Sequence, residues 1–208
     1  MITLFNWFVK ITGWPAAKLL FRTKILYEDR RRQGRRLKGP VILVSNHTSV
    51  YDYAVWMFVF FTRTLRVQMA EVLFQKQPLA AFLRLLGGIR VDRGRFDLGA
   101  VARSEAILQQ GGAVGIFPEG RLPLEGEERP LPFKPGVAYL ALATGVPVIP
   151  LYTNGSYFRK ERAVAVVGTP IYAADWVRDI PDEKERLRVI SEKLREKVIK
   201  LGKLANEN

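Results

Sequence analysis

The chain has no cysteine and a single histidine, His47, among its 208 residues. The first absence excludes a disulfide framework, a thiolate zinc site, an iron–sulfur cluster and a cysteine nucleophile. The second excludes a multi-histidine metal site within one chain. Acids are scarce: 20 Asp and Glu stand against 33 Lys and Arg, a formal net charge of +13. An uninterrupted apolar run of about 18 residues, the mark of a membrane-spanning helix, is missing as well. The start carries no basic n-region and no A-x-A-like site follows it, so a cleaved signal peptide is not expected. What is present suits one globular domain: 48% hydrophobic and 25% charged residues, in a chain long enough to bury a core without covalent staples.

The positive charge is uneven. Residues 1–40 carry ten Lys and Arg against two acids, whereas residues 41–208 carry 23 against 18. A basic excess concentrated in this way implies a polyanionic partner. Residues 2–21 are mostly apolar, with Phe5, Trp7, Phe8, Trp14 and Phe21, interrupted by Lys10 and Lys18. Thr3, Asn6, Lys10 and Gly13 recur at helical spacing, which leaves aromatic and aliphatic residues on the remaining faces. Pro15 is expected to kink or break a helix there. The segment reads as an amphipathic helix in a lipid interface, where Trp rings sit at headgroup level. Arg30, Arg31, Arg32, Arg35, Arg36 and Lys38 follow it, and each basic residue close to an anionic leaflet contributes about 1 kcal/mol of attraction. A helix packed on the core and followed by a solvated linker is the competing reading. Nucleic acid is not expected as a partner, because the aromatics are mixed with aliphatics rather than with the basic residues of a base-stacking groove.

From residue 41 short apolar runs alternate with helical patterns. Strands are expected at 41–45, 65–69, 88–93, 113–117, 147–152 and 162–168. Helices are expected at 50–61, 78–87, 97–110, 135–145 and 183–204. This alternation predicts an α/β fold: a mixed, largely parallel sheet covered by helices on both faces. The division drawn is an N-terminal amphipathic, membrane-anchoring segment (1–40) and an α/β domain (41–208). In such folds ligands gather at the carboxyl ends of strands. His47, Arg93, the Glu119-Gly120-Arg121 turn and Tyr152-Thr153-Asn154 each follow a strand, so one rim collects the chemistry.

His47 precedes Asp52 by five positions. If the ring lies in a loop and the carboxylate in the first turn of a helix, Asp52 can orient one ring nitrogen and leave the other as a base. No G-x-S-x-G nucleophile elbow is present, so the pair suits deprotonation of a substrate hydroxyl. Ser49-x-x-Asp52 is equally a capping-box pattern, in which Asp52 satisfies free backbone donors. Arg121 at a strand end, and Lys134 just before a helix N-terminus, suit phosphate or carboxylate binding.

Taken in order, NHTSVYD (46–52), GGIRVDR (87–93), FPEGR (117–121) and VPVIPLY (146–152) resemble the four motifs of the glycerophospholipid acyltransferase family. Within it they are most similar to the 1-acyl-sn-glycerol-3-phosphate (lysophosphatidic acid) acyltransferases. The resemblance covers roughly residues 40–170. It implies that His47 is the general base and Asp52 its orienting partner, with Asn46 beside them. It implies acceptor binding by Arg93, Glu119, Gly120, Arg121 and Lys134, with phosphate held by the cations, and an acyl pocket shaped by Pro147 and Pro150. The donor would be an acyl thioester, on coenzyme A or acyl carrier protein, with no metal or bound cofactor. The expected setting is monotopic, on the cytoplasmic leaflet of a membrane (the inner membrane in a bacterium). One departure bears on the acceptor: the family's third motif usually has threonine between glycine and arginine, whereas here Arg121 follows Gly120 directly. Another lyso-lipid acceptor, a lyso-aminolipid or one like lysocardiolipin, is the alternative within the family. A non-catalytic basic module is the alternative outside it.

Overall fold

A computed structural model describes residues 1–94 and 96–207. Its elements run α1 (Ile2–Phe21), β1 (Lys24–Tyr27), β2 (Val41–Ser45), α2 (Asp52–Val59), β3 (Leu65–Ala70), α3 (Leu79–Leu86), β4 (Ile89–Val91), α4 (Leu98–Gln109), β5 (Ala113–Ile116), α5 (Gly136–Thr144), β6 (Val148–Thr153), β7 (Val164–Val167) and α6 (Glu183–Asn206). The described strands form one seven-stranded sheet in the order β1-β7-β6-β2-β5-β3-β4. Every pairing is parallel except β6 with β7. The expected α/β sheet is therefore present.

Both faces of the sheet are covered, and β2 shows why its sequence is apolar throughout. Val41 and Leu43 point into a core shared with Phe21, Val55, Trp56 and Phe60, under α1 and α2. Ile42 and Val44 point the other way, against Val101, Leu140, Ile190 and Leu194 of α4, α5 and α6. Alternating side chains on a strand buried on both sides give a continuous hydrophobic run. Each fully buried aliphatic side chain contributes roughly 1.5–3 kcal/mol.

The N-terminal region differs from its expectation in two respects. The α1 helix continues through Pro15 rather than ending there. Pro15 and Ile11, the residue whose carbonyl loses its intrahelical donor, both lie on the exposed side. Beyond α1, Lys24–Tyr27 was placed in the basic N-terminal segment, yet it pairs in register with Val164–Val167 as an edge strand of the sheet.

The polar stripe of α1 faces the body of the protein. Asn6 Nδ2 donates to the Leu86 carbonyl at 3.1 Å, and Lys10 Nζ donates to the carbonyls of Phe61 and Arg63 at 3.0 and 2.6 Å. The last carbonyls of a helix lack intrahelical donors. The end of α3 receives one from Asn6 and the turn after α2 receives two bonds from Lys10, which is why the amide and ammonium of α1 turn inward. Ala17 and Phe21 join the core near its end, while Leu4, Phe8, Ile11 and Leu19 are left outside, 76, 62, 62 and 74% exposed. No described helix is long and apolar enough to cross a membrane.

Candidate active site

The four parallel strands β2, β4, β5 and β6 end on one rim, where the residues following them meet. The loop after β2 carries His47, and α2 begins at Asp52. The ring Nδ1 lies 2.8 Å from Asp52 Oδ2. The ring also stacks on Phe117, with centroids 4.4 Å apart and planes 20° from parallel. The histidine side chain is 11% exposed and the aspartate fully buried. Among the described residues nothing bonds to Nε2, so this nitrogen is available to an incoming group.

Asp52 serves both functions that its spacing allowed. Its Oδ2 accepts the backbone N–H groups of Thr48 and Ser49 at 2.7 and 2.9 Å, as a cap does. Its Oδ1 accepts the hydroxyls of Thr48 and Tyr157 at 2.9 and 2.8 Å. Four donors therefore fix the carboxylate that orients the ring. Burial, together with the Asp52 charge, pushes the Tyr157 phenol well up, so it stays protonated and donates. Tyr157 escaped the sequence reading. It sits 105 positions from its partner, in a loop with no periodic pattern, and only its place just after the β6 rim could have flagged it.

Asn46 and Glu119 hold the loops together, and Glu119 also borders a hollow at the rim. The Asn46 amide donates to the Thr153 carbonyl at 2.8 Å and accepts the Thr153 N–H at 2.9 Å, which ties the end of β2 to the end of β6. Glu119 Oε1 accepts the His47 N–H at 2.6 Å, and Oε2 accepts that of Leu131 at 2.8 Å. Burial raises the Glu119 carboxyl, opposed by these two backbone donors.

A cleft of about 280 Å³ opens beside the stack. Phe117 is in its wall, Arg93, Gly120 and Lys134 stand at its polar side, and Met69, Val101 and Ile116 form an apolar interior. Arg93, Gly120 and Lys134 also border a second hollow of about 460 Å³, which adds Arg121. Lys134 Nζ donates to the Arg93 carbonyl at 3.2 Å. Gly120 has φ +74°, a conformation that disfavours any side chain.

Arg121 is engaged elsewhere. Its guanidinium forks onto Glu127 with two contacts of 2.6 Å, and the arginine holds the Glu127 carboxyl down at about 2. The fork thus meets an acid of its own loop. Pro147 and Pro150, expected to shape an acyl pocket, stand apart from the rim. Pro147 precedes the amino end of β6, and Pro150 lies inside that strand, opposite Val44 and bonded through its carbonyl to the Gly168 N–H. Neither lines the two cavities at the rim. No group of three or more His, Asp or Glu among the described residues is placed to hold a metal.

Residues 24–154 match the Acyltransferase family. The chain belongs to that family. Among its relatives, the 1-acyl-sn-glycerol-3-phosphate acyltransferase beta of Homo sapiens is 29% identical over 154 residues, covering 72% of this chain and 54% of that protein. The 1-acyl-sn-glycerol-3-phosphate acyltransferase of Bacillus subtilis (strain 168) is 28% identical over 134 residues, covering 62% and 64%. The chain thus spans between half and two thirds of the length of these two relatives. In fold it is similar to the crystal structure of the 1-acyl-sn-glycerophosphate (LPA) acyltransferase PlsC from Thermotoga maritima. The TM-score is 0.66 at 22% identity, over 95% of this chain and 79% of that one.

Proposed function

We propose that the protein transfers a fatty acyl group from an acyl thioester to the free hydroxyl of a lysophospholipid, with 1-acyl-sn-glycerol-3-phosphate as the leading acceptor and phosphatidic acid as the product. The observation that carries this reading is the unbonded Nε2 of His47. Its ring is locked by Asp52 and stacked on a wall residue of a cleft flanked by Arg93 and Lys134. Nε2 takes the hydroxyl proton as the oxygen attacks the thioester carbonyl. The imidazolium is stabilised by Asp52. When the tetrahedral intermediate collapses, the C–S bond breaks and the leaving sulfur takes the proton back from Nε2. Arg93 and Lys134 hold the acceptor's phosphate, and Glu119 and Asn46 keep the loops in register. The relatives named above support the choice of acceptor. Acyl carrier proteins are acidic, and the basic surface would suit that donor as it would the phosphates of coenzyme A.

The acceptor is a lipid, and the outward apolar residues of α1 with the basic arm at 30–38 support a monotopic seat on an anionic leaflet. The test is His47→Ala with lysophosphatidic acid in liposomes. Turnover should drop by roughly 10²–10⁴-fold, with the thermal transition and liposome binding kept. Turnover comparable to the unmodified chain would refute the assigned base.

A second reading is favoured by the Arg121–Glu127 fork, which leaves two rather than three cations free for the headgroup. Two cations suit a singly charged phosphodiester, as in a lyso-aminolipid. A panel of lyso-lipids with one acyl donor decides between them, and strong preference for lysophosphatidic acid removes the second.

A further inference from the structure

Between the second half of α1 and α2 lies an open groove of about 450 Å³ that shares no residue with the acceptor cleft. Its floor is apolar, with Trp14, Phe21, Val55 and Phe58. Its rim carries Lys18, Arg22, Arg35 and Arg162, and no carboxylate lines it. Among the described residues none of these four cations is in an ion pair. Arg35 is committed to the end of α2, donating to the carbonyls of Val59 and Phe58 at 2.9 and 3.0 Å. Arg162 Nε donates to the Arg22 carbonyl at 3.3 Å, which brings those two residues together where α1 ends. Gathered cations without an anion repel one another. A rim of this kind complements one anionic headgroup. The hydrophobic floor beside it selects an amphiphile over a free anion. The exposed Leu19 and Leu20 of α1 lie next to Lys18 in sequence, so the groove opens close to the face of the helix that is apolar to solvent.

We propose that this groove binds one anionic phospholipid, with its phosphate among Lys18, Arg22 and Arg162 and an acyl chain along Trp14, Phe21 and Phe58. The site is additional to the acceptor cleft. It deepens the membrane reading above and rests on it for the supply of lipid. Phe21 also packs edge-on against Tyr157, with centroids 5.6 Å apart, so the lipid chain lies two side chains from the carboxylate that orients His47.

The test uses the full chain and monomeric dihexanoyl-phosphatidylglycerol below its micellar concentration, read by tryptophan fluorescence with Trp14→Phe as the reporter control. Saturable binding at one site is expected, weaker for dihexanoyl-phosphatidylcholine and not displaced by inorganic phosphate at equal concentration. The double variant Arg22→Gln/Arg162→Gln should bind roughly tenfold more weakly or worse. Lys18→Gln, at an exposed position, should show a smaller loss in the same direction should the double variant fold poorly. Arg31→Gln/Arg32→Gln removes the same charge from the exposed arm and should bind as the unmodified chain does, as should Arg93→Gln/Lys134→Gln. Equal loss in the Arg31/Arg32 variant would mean diffuse attraction and overturn the site. Loss in the Arg93/Lys134 variant would put the lipid in the acceptor cleft, with the same result. Equal displacement by inorganic phosphate would reduce the groove to an anion site and refute the lipid. A chain that binds the monomeric lipid but ignores anionic vesicles refutes the membrane reading and leaves the groove. The reverse pattern refutes the groove alone.

Discussion

The helices at the two ends of the chain are both amphipathic, and they are built in opposite senses. The long α6 hides Ile190, Leu194, Val198 and Leu201 and shows solvent its charges, with Arg188 reaching Glu185 and Glu192. The N-terminal α1 hides Asn6 and Lys10 along with Ala17 and Phe21, and shows solvent Leu4, Phe8, Ile11 and Leu19. The difference lies in what each helix meets. Against the sheet, α6 finds hydrophobic side chains. Against the end of α3 and the turn after α2, α1 finds carbonyl groups in want of donors. Periodicity reveals that a helix has two faces, and the neighbour decides which face is inner.

That contrast can be broken or sharpened experimentally. The largest structural effect is expected from Leu194→Ala in α6, a cavity in the core that should cost about 2–5 kcal/mol by chemical denaturation. If Phe8→Ser in α1 cost as much, the outward assignment of its apolar face would be wrong. That exposed change should stay within about 0.5 kcal/mol while weakening attachment to anionic liposomes. Next in size is Lys10→Met, which removes the donor for two carbonyls and should destabilise by about 1–3 kcal/mol. Burial lowers the Lys10 ammonium to about 8 from its ordinary 10.5. Below about pH 8 both folded and unfolded chains hold the proton, and this contribution is flat. Between about 8 and 10.5 the unfolded chain still holds it and the folded chain has released it, so the contribution to stability rises with pH. The gap between the unmodified chain and Lys10→Met should therefore widen from pH 8 toward pH 10 in denaturation series.

A smaller effect, on rate rather than stability, is expected at Tyr157→Phe. The α1 helix reaches the dyad through Phe21 and Tyr157. Losing that hydroxyl makes Asp52 a stronger partner for the imidazolium, so the acid limb of the pH–rate profile should shift to higher pH, with kcat down roughly threefold to tenfold. An unchanged profile would reduce Tyr157 to packing. Smallest of all, Arg188→Ala on the solvent face of α6 should leave the midpoint of chemical denaturation essentially where it is in the unmodified chain.

Most of the alternation from Val41 onward was legible because glycines, prolines and the change of period punctuate it. The rim was legible through the same logic, since residues after parallel strands must gather at one end. The edge strand β1 was not. Four half-buried residues flanked by cations carry no pattern of their own, and their partner lies about 140 positions away. The resemblance implied a place for Asn46 beside the dyad and for Glu119 at the acceptor, but which backbone groups would claim them depends on loops brought together only by folding. The motif prolines likewise gave no sign that one would stand at the far end of β6 and the other within the sheet.

Glu119 ties two such loops together. Because one carboxylate grips the amides of both His47 and Leu131, the loop that carries the ring and the segment that leads to Lys134 share a single rivet. A natural variant that shortens or neutralises this side chain would lose turnover and acceptor affinity together while touching neither reactant. Its inactivity would report mechanical slack, and a kinetic signature resembling a lost phosphate ligand would mislead.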